Sequence, residues 1–242
     1  MSSLSPEDLK ERLRFDYQVV MRMRSPLMQV AAYRGLGDLK ALRNPITSED
    51  EGHLATHYLV DYRVKTLVGR GVYSDQTVVR MDVLAGTNYP YSEPVCWVLD
   101  SSKIPWSPHF LRGRPVCLGP SWKAAEGAML LGQLVVHIAK LLNFDEPPRE
   151  PWYTGYNKEA IAYWRDVLGH QPITKNFPYP QLPLDLVSET PAELNPKKIF
   201  VRRPAAPAHQ PAPVRASTVF KKKPVGGPHS RTWSHDKLQS KR

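Results

Sequence analysis

Cys117 is the residue in this sequence whose neighbours most favour covalent chemistry. It lies in a segment rich in proline and glycine, together with His109, Arg112 and Arg114. Nearby cations stabilise the thiolate, which is the nucleophilic form of cysteine. A cysteine is more often a small buried hydrophobic residue. We favour that interpretation for Cys96, which alternates within a short strand-like apolar segment. The contrast makes Cys117 the candidate nucleophile.

The elements that must position Cys117 follow from the hydrophobic pattern. A helix is predicted to begin at Ser5-Pro6, where a hydroxyl cap and a proline are followed by acidic residues. Alternating apolar residues then predict a meander of four strands, clearest over 58–68 and 77–83, with a turn over 69–75 between them. This order favours an α+β domain with an antiparallel sheet.

Cys117 falls in the long irregular segment that follows the predicted sheet. Residues 100–127 hold repeated prolines and glycines and show no helical or strand period. A long irregular segment inside a compact domain is usually functional. Apolar spacing resumes over 130–142 and again over 157–167, which predicts two helices that pack on the sheet.

Charge divides the chain into two parts. The 242 residues hold 33 Lys and Arg against 23 Asp and Glu, a formal charge of +10. Residues 185–242 hold 12 of the basic and 4 of the acidic residues, so they carry +8 and residues 1–184 carry +2. A basic, Pro-rich segment with few apolar residues cannot offset its ordering entropy. We therefore expect a folded domain over 1–184 and a disordered tail over 185–242.

Several function classes have no support in the sequence. We find no phosphate-binding glycine-rich loop, no paired-cysteine or histidine-rich metal motif and no serine-hydrolase elbow, so no cofactor or metal is expected. No segment approaches the roughly 18 apolar residues of a membrane span. Two cysteines cannot form a disulfide scaffold, which favours a reducing compartment. We expect a soluble, cytoplasmic protein without membrane contacts.

Four segments together resemble one known family. They are Tyr-Pro-Tyr-Ser-Glu-Pro at 89–94, Pro-Val-Cys-Leu at 115–118, Ser-Trp at 121–122 with the helix that ends at 142, and the helix start over 157–163. In this order they resemble the ubiquitin-conjugating enzymes, and in particular their divergent bacterial members. The resemblance covers residues 4–167. One departure stands out, because Ser-Pro-His at 107–109 replaces the family's His-Pro-Asn.

The resemblance implies a thioester mechanism. An activating enzyme would pass the C-terminus of a ubiquitin-like modifier to Cys117, and a lysine of a target protein would then take it. His109 stands where the family has the Asn that steadies the oxyanion, and a histidine N–H could donate the same hydrogen bond. Arg112 and Arg114 could either lower the thiol pKa or contact the modifier. In bacteria, such proteins resemble parts of small conjugation operons, some of them linked to antiphage defence.

Other residues receive looser roles from the same resemblance. Lys10, Arg12 and Arg14 lie on the N-terminal helix, where family members meet their activating enzyme; each could equally belong to a solvated helix face. Asp145 and Glu146 are loose candidates for the acid near the acceptor lysine, and we slightly favour solvated helix-end acids.

Two other functions are open at this point. The chain could be a non-catalytic member of the same fold that binds a modifier or peptide, although such variants generally lack the cysteine. Alternatively, the basic tail could bind nucleic acid, with its cations on phosphates and Phe200, Phe220 and Trp233 stacked on bases. A solubilising extension or a peptide ligand is the simpler interpretation of the tail.

Overall fold

A computed structural model of the chain describes residues 4–86, 88–119, 122, 125, 128–145, 156–183 and 185–186. The chain divides into two units, Met1–Arg203 and Pro204–Arg242. The second unit lies outside the described residues, and so does the predicted tail apart from Asp185 and Leu186.

The N-terminal helix forms where the sequence predicts it. Helix α1 spans Pro6–Arg22, and the Ser5 hydroxyl oxygen caps it by accepting a hydrogen bond from the Asp8 amide at 3.2 Å. Proline at the first helical position and acids in the first turn suit the free N–H groups and the positive end of the helix dipole. The face that carries Leu13, Tyr17 and Val20 is buried in the core.

Four antiparallel strands form the main sheet, as the sequence predicts. Within the described residues, the strands are β1 (Met28–Tyr33), β2 (His57–Tyr62), β3 (Thr66–Gly69), β4 (Val72–Ser74), β5 (Thr77–Asp82) and β6 (Val95–Val98). The main sheet has the order β1-β2-β5-β6, which is a meander interrupted by the small β3–β4 hairpin. Between β1 and β2 lie a short helix, α2 (Leu36–Ala41), and a 3-10 turn at Gly52–Leu54.

The hairpin corrects one prediction from the sequence. The single strand expected over 58–68 stops at Tyr62, and part of the turn expected over 69–75 is strand β4. The chain leaves the main sheet over 63–65 and then pairs β3 with β4 as a separate sheet. The apolar alternation continues through Val64, which is buried, so the side-chain pattern does not register the break.

Two further helices complete an α+β fold, in agreement with the predicted class. Helix α3 spans Leu131–Asn143 and buries an apolar face in the same core as the sheet. The Tyr62 hydroxyl donates a 3.1 Å hydrogen bond to the Val135 carbonyl and so ties β2 to α3. Helix α4 spans Lys158–Asp166 and is capped by Asn157. Within the described part of the chain, no helix is long and apolar enough to cross a membrane.

Candidate functional site

The loop that carries Cys117 is closed by two hydrogen bonds between the same two residues. The Cys117 amide donates to the His109 carbonyl at 2.9 Å. The His109 Nδ1 lies 3.0 Å from the Cys117 carbonyl oxygen. A carbonyl oxygen only accepts, so Nδ1 must carry a hydrogen for this bond to form. Residues 110–116 therefore form a loop whose two ends are held together by these hydrogen bonds.

Buried neighbours fix the closed loop to the domain. The Val116 amide donates a 2.8 Å hydrogen bond to the Cys96 carbonyl, so the loop lies along the edge of β6. Val116 and Leu118 are buried on either side of Cys117, which is itself partly exposed. This extended alternation presents the Cys117 side chain away from the core. A strand edge and two buried apolar residues thus hold Cys117 at the surface.

The immediate surroundings favour the thiolate form of Cys117. A hydrogen bond with the His109 side chain is the main cause that lowers the pKa of Cys117 below its usual 9.0, although partial burial opposes it. The Gly119 backbone N–H and the His109 charge lower the pKa further, and the Glu93 carboxylate raises it. In contrast, full burial raises the pKa of Cys96 well above the usual range. The two cysteines therefore differ as the sequence predicts.

Three further residues near Cys117 could not be assigned a role from the sequence. Gly119 has φ +68°, a left-handed conformation that glycine adopts without steric cost, and its amide faces the sulfur. His137 on α3 places Nε2 3.0 Å from the Leu118 carbonyl. Its signal in the sequence was a polar residue within a strongly apolar helix. Glu93 belongs to the 89–94 segment, where nothing in the sequence marked the carboxylate as close to Cys117.

Two of the segments that suggested the family resemblance meet in the structure. Trp122 is buried, and its indole N–H donates a 3.0 Å hydrogen bond to the Pro90 carbonyl. The ring of Trp122 stacks on Tyr89 with 6.0 Å between centroids. The 89–94 turn therefore packs against the residue that follows the Cys117 loop. Ser121, which was part of the same motif, lies outside the described residues.

Arg12 does not have the role expected from the sequence. Its side chain is 4% exposed and pairs with Asp16, which is also buried, so it cannot meet an activating enzyme. The same carboxylate accepts hydrogen bonds from the Tyr89 hydroxyl and the Leu131 amide. The expectation for Arg12 is wrong, because this network turns a charged face of α1 toward the core.

Of the other cations of the expected partner surfaces, Lys10, Arg112 and Arg114 are exposed, and Arg14 is half-buried. On α1, Lys10 and Arg14 each pair with an acidic residue of the same helix. In the Cys117 loop, Arg112 and Arg114 lie in an exposed turn closed by a 3.1 Å hydrogen bond from the Arg114 amide to the Leu111 carbonyl. The groups that shift the pKa of Cys117 do not include either arginine. Of the two roles left open for them, contact with a partner is the one that their exposure fits.

Asp145 lies beside Tyr179 in this fold. The Tyr179 hydroxyl accepts a 2.7 Å hydrogen bond from the Asn143 amide. Burial and the Asp145 carboxylate raise the pKa of Tyr179. Glu146, the other candidate acid, lies outside the described residues. Among the described carboxylates, Glu93 is the one whose charge raises the pKa of Cys117.

The arrangement suits reversible acyl chemistry. A partly exposed cysteine whose pKa is lowered by its neighbours can attack a carbonyl carbon as the thiolate and can later depart from it. Over the described ranges, no group of three or more His, Cys, Asp or Glu side chains could hold a metal ion. Comparisons with protein-family models and with curated proteins give no match to this chain.

Proposed function

We propose that the protein carries a ubiquitin-like modifier as a thioester on Cys117 and transfers it to a lysine amine of a target protein. The observation that supports this proposal best is the environment of the sulfur. Cys117 is partly exposed, its thiolate is favoured by His109 and Gly119, and its backbone is fixed to the edge of the sheet. A cysteine that only filled space would need none of these features.

The proposed reaction has two balanced steps. In the first, the Cys117 sulfur loses its proton and bonds to the acyl carbon of the modifier, and the activating enzyme's thiol leaves with the electron pair of the broken C–S bond and is protonated. In the second, the lysine nitrogen bonds to that carbon and loses a proton, and the electron pair of the C–S bond returns to Cys117. A thioester is reactive enough for the amine to attack it without a cofactor.

The resemblance assigns the remaining roles within this proposal. His109 would donate to the oxyanion that forms during transfer to the amine. Arg112 and Arg114 are exposed beside the nucleophile, and this supports contact with the modifier. Lys10 and Arg14 on α1 are exposed enough to meet the activating enzyme, which Arg12 is not.

A thioester exchange that needs no activating enzyme tests the proposal. The protein is incubated with the C-terminal mercaptoethanesulfonate thioester of ubiquitin, and products are separated on a non-reducing gel and identified by intact mass. We expect an adduct on the wild type that thiols and free lysine remove. Cys117→Ser should give at most an oxyester that thiols do not cleave, and Cys117→Ala should give no adduct.

The second cysteine supplies the matched control. Cys96→Ser removes a buried thiol whose pKa is raised, so the adduct should form as in the wild type. An adduct on Cys117→Ala, or none on the wild type at any thioester concentration tested, would count against acyl transfer. The second result would favour a non-catalytic binding module of the same fold.

A further inference from the structure

The two outer strands of the main sheet have contacts along their free edges. The Val30 carbonyl of β1 accepts a 2.9 Å hydrogen bond from the Arg24 guanidinium, and the Ala32 carbonyl accepts a 2.8 Å bond from the Ile46 amide. At the other end of the sheet, the Val116 amide donates to a carbonyl of β6. Unpaired N–H and C=O groups at a strand edge can pair with another chain. These contacts therefore leave the main sheet little room for a further strand.

The β3–β4 hairpin differs, because only its β3 side is covered. The Leu67 carbonyl of β3 accepts a 2.6 Å hydrogen bond from the Trp106 amide. Among the described residues, no backbone group outside the hairpin bonds to the backbone of Val72, Tyr73 or Ser74 in β4. An edge strand directs part of its N–H and C=O groups away from its partner strand. The outer side of β4 is therefore an open sheet edge.

The open edge of β4 also carries exposed apolar side chains. Val72 is 57% exposed and Tyr73 is 42% exposed. Successive residues of a strand point to opposite faces, so both faces of β4 offer apolar contact. β-Branched and aromatic residues are favoured in paired strands. An added strand would therefore gain backbone hydrogen bonds at the edge and side-chain contacts on both faces.

The charges of the hairpin favour an acidic partner. Lys65 precedes β3, Arg70 lies in the turn between the strands, and both are exposed. The Lys65 Nζ lies 4.5 Å from the centroid of the Tyr73 ring, which places its charge beside β4. Asp75, which follows β4, balances only one of the two cations. Complementary charge then selects a segment that carries carboxylates.

We propose that β4 is a docking edge at which an extended, acidic segment of another protein adds to the hairpin as a third strand. The hairpin is fixed to the catalytic domain, because Leu67 is buried with Phe144 and Trp164 and bonds to Trp106 in the loop that leads to His109. The identification of the docked protein as the target of transfer rests on the proposed function, but the docking itself does not.

Binding of a synthetic peptide to the full chain tests the open edge. The probe is fluorescein-labelled Asp-Val-Thr-Val-Thr-Val-Asp, and its fluorescence anisotropy is measured during titration with the protein. We expect saturable binding with a Kd of about 100 μM, and the amide NMR signals of residues 72–74 should shift. A peptide with Lys in place of both Asp residues should bind about tenfold more weakly, because attraction to the hairpin cations becomes repulsion.

Charge variants test the choice of an acidic partner. Lys65→Glu with Arg70→Glu should weaken binding of the acidic peptide about tenfold and strengthen binding of the basic one. Lys40→Glu with Arg43→Glu changes two exposed cations in and just after α2, so it should bind both peptides as the wild type does. Equal weakening in the two variants would show a general effect of net charge and would overturn the proposed edge.

Apolar variants locate the contact on β4. Val72→Ser with Tyr73→Ser should weaken binding of the acidic peptide severalfold, since it removes the apolar contacts on both faces. Leu42→Ser is the matched control, because Leu42 is 60% exposed and lies outside the hairpin, and its Kd should equal that of the wild type. Amide shifts confined to residues other than 72–74 would overturn the assignment.

The remaining outcomes separate docking from acyl transfer and from self-association. No saturable binding at up to about 1 mM protein would overturn the proposal. So would a dimer in light scattering that Tyr73→Ser dissociates and the acidic peptide does not, because β4 would then pair with a second copy. The Lys65 and Arg70 variant should still form the thioester on Cys117, so failure of docking and failure of the proposed function are scored independently.

Discussion

Replacing Asp16 with asparagine should strongly destabilise the fold, because its buried carboxylate joins helix α1 to two distant parts of the chain. The carboxylate accepts from Arg12 on its own helix, from the Tyr89 hydroxyl and from the Leu131 amide at the start of α3. Its side chain is 1% exposed and that of Arg12 is 4% exposed. Asp16→Asn leaves a buried guanidinium without a counter-charge, and removing one member of a buried pair costs about 3–5 kcal/mol.

The expected effect is large relative to the stability of a domain. The free energy of unfolding of a domain is about 5–15 kcal/mol. A loss of about 4 kcal/mol is therefore measurable by urea titration. With a urea dependence of about 2 kcal/mol/M, the midpoint should fall by about 2 M. Tryptophan fluorescence reports the transition, because Trp122 is buried and stacked on Tyr89 within the same region.

The exposed pair on the same helix is the matched control. Lys10 and Glu7 lie 3.1 Å apart with both side chains more than half exposed, and Lys10→Gln should cost less than about 0.5 kcal/mol. Replacing both members of the buried pair, as Arg12→Met with Asp16→Leu, should cost less than Asp16→Asn alone, because no unpaired charge remains. A loss below about 1 kcal/mol for Asp16→Asn would refute the reasoning.

Three other outcomes can be measured, two by urea titration and one by the pH dependence of iodoacetamide alkylation. His137→Ala should lower the free energy of unfolding by about 1 kcal/mol through loss of the bond to the Leu118 carbonyl, and an unchanged urea midpoint would contradict this. Gly119→Ala should lower the free energy of unfolding by about 1 kcal/mol, because residue 119 has a left-handed φ. An added Cβ would meet no atom within 4 Å, so no clash contributes to this loss. An unchanged urea midpoint would show that the loop relaxes. For Cys117, a lowered pKa keeps the thiolate populated at pH values where an ordinary thiol is protonated. The rate of alkylation plotted against pH should therefore have its midpoint below pH 9.0. A midpoint at or above that value would contradict the structure.

The different burial of the two cysteines could be predicted from sequence because its signals are local. The prolines, glycines and cations around Cys117 mark a loop rather than a core, and they distinguish it from Cys96. His109 was found from its spacing to the cysteine. The donors Gly119 and His137 could not be assigned in the same way, because their roles depend on a backbone turn and on a helix that returns to the loop.

The errors arise where tertiary contacts override a local pattern. From the sequence, Arg12 was expected either to contact an activating enzyme or to lie on a solvated face of α1, but Arg12 and Asp16 are both buried. They are buried because Tyr89 and the start of α3 cover them. Likewise, the apolar alternation through Val64 gives no sign that the backbone leaves the main sheet before β3.

The closed Cys117 loop has a consequence for engineering and for divergence. Its two ends are fixed by mutual hydrogen bonds, whereas its tip over 111–114 is exposed. Lengthening an exposed loop costs little, because closure entropy grows only slowly with length. A peptide inserted beside Gly113 could therefore be exchanged without moving the sulfur. The tip can therefore change in sequence and length while the geometry around Cys117 stays constant.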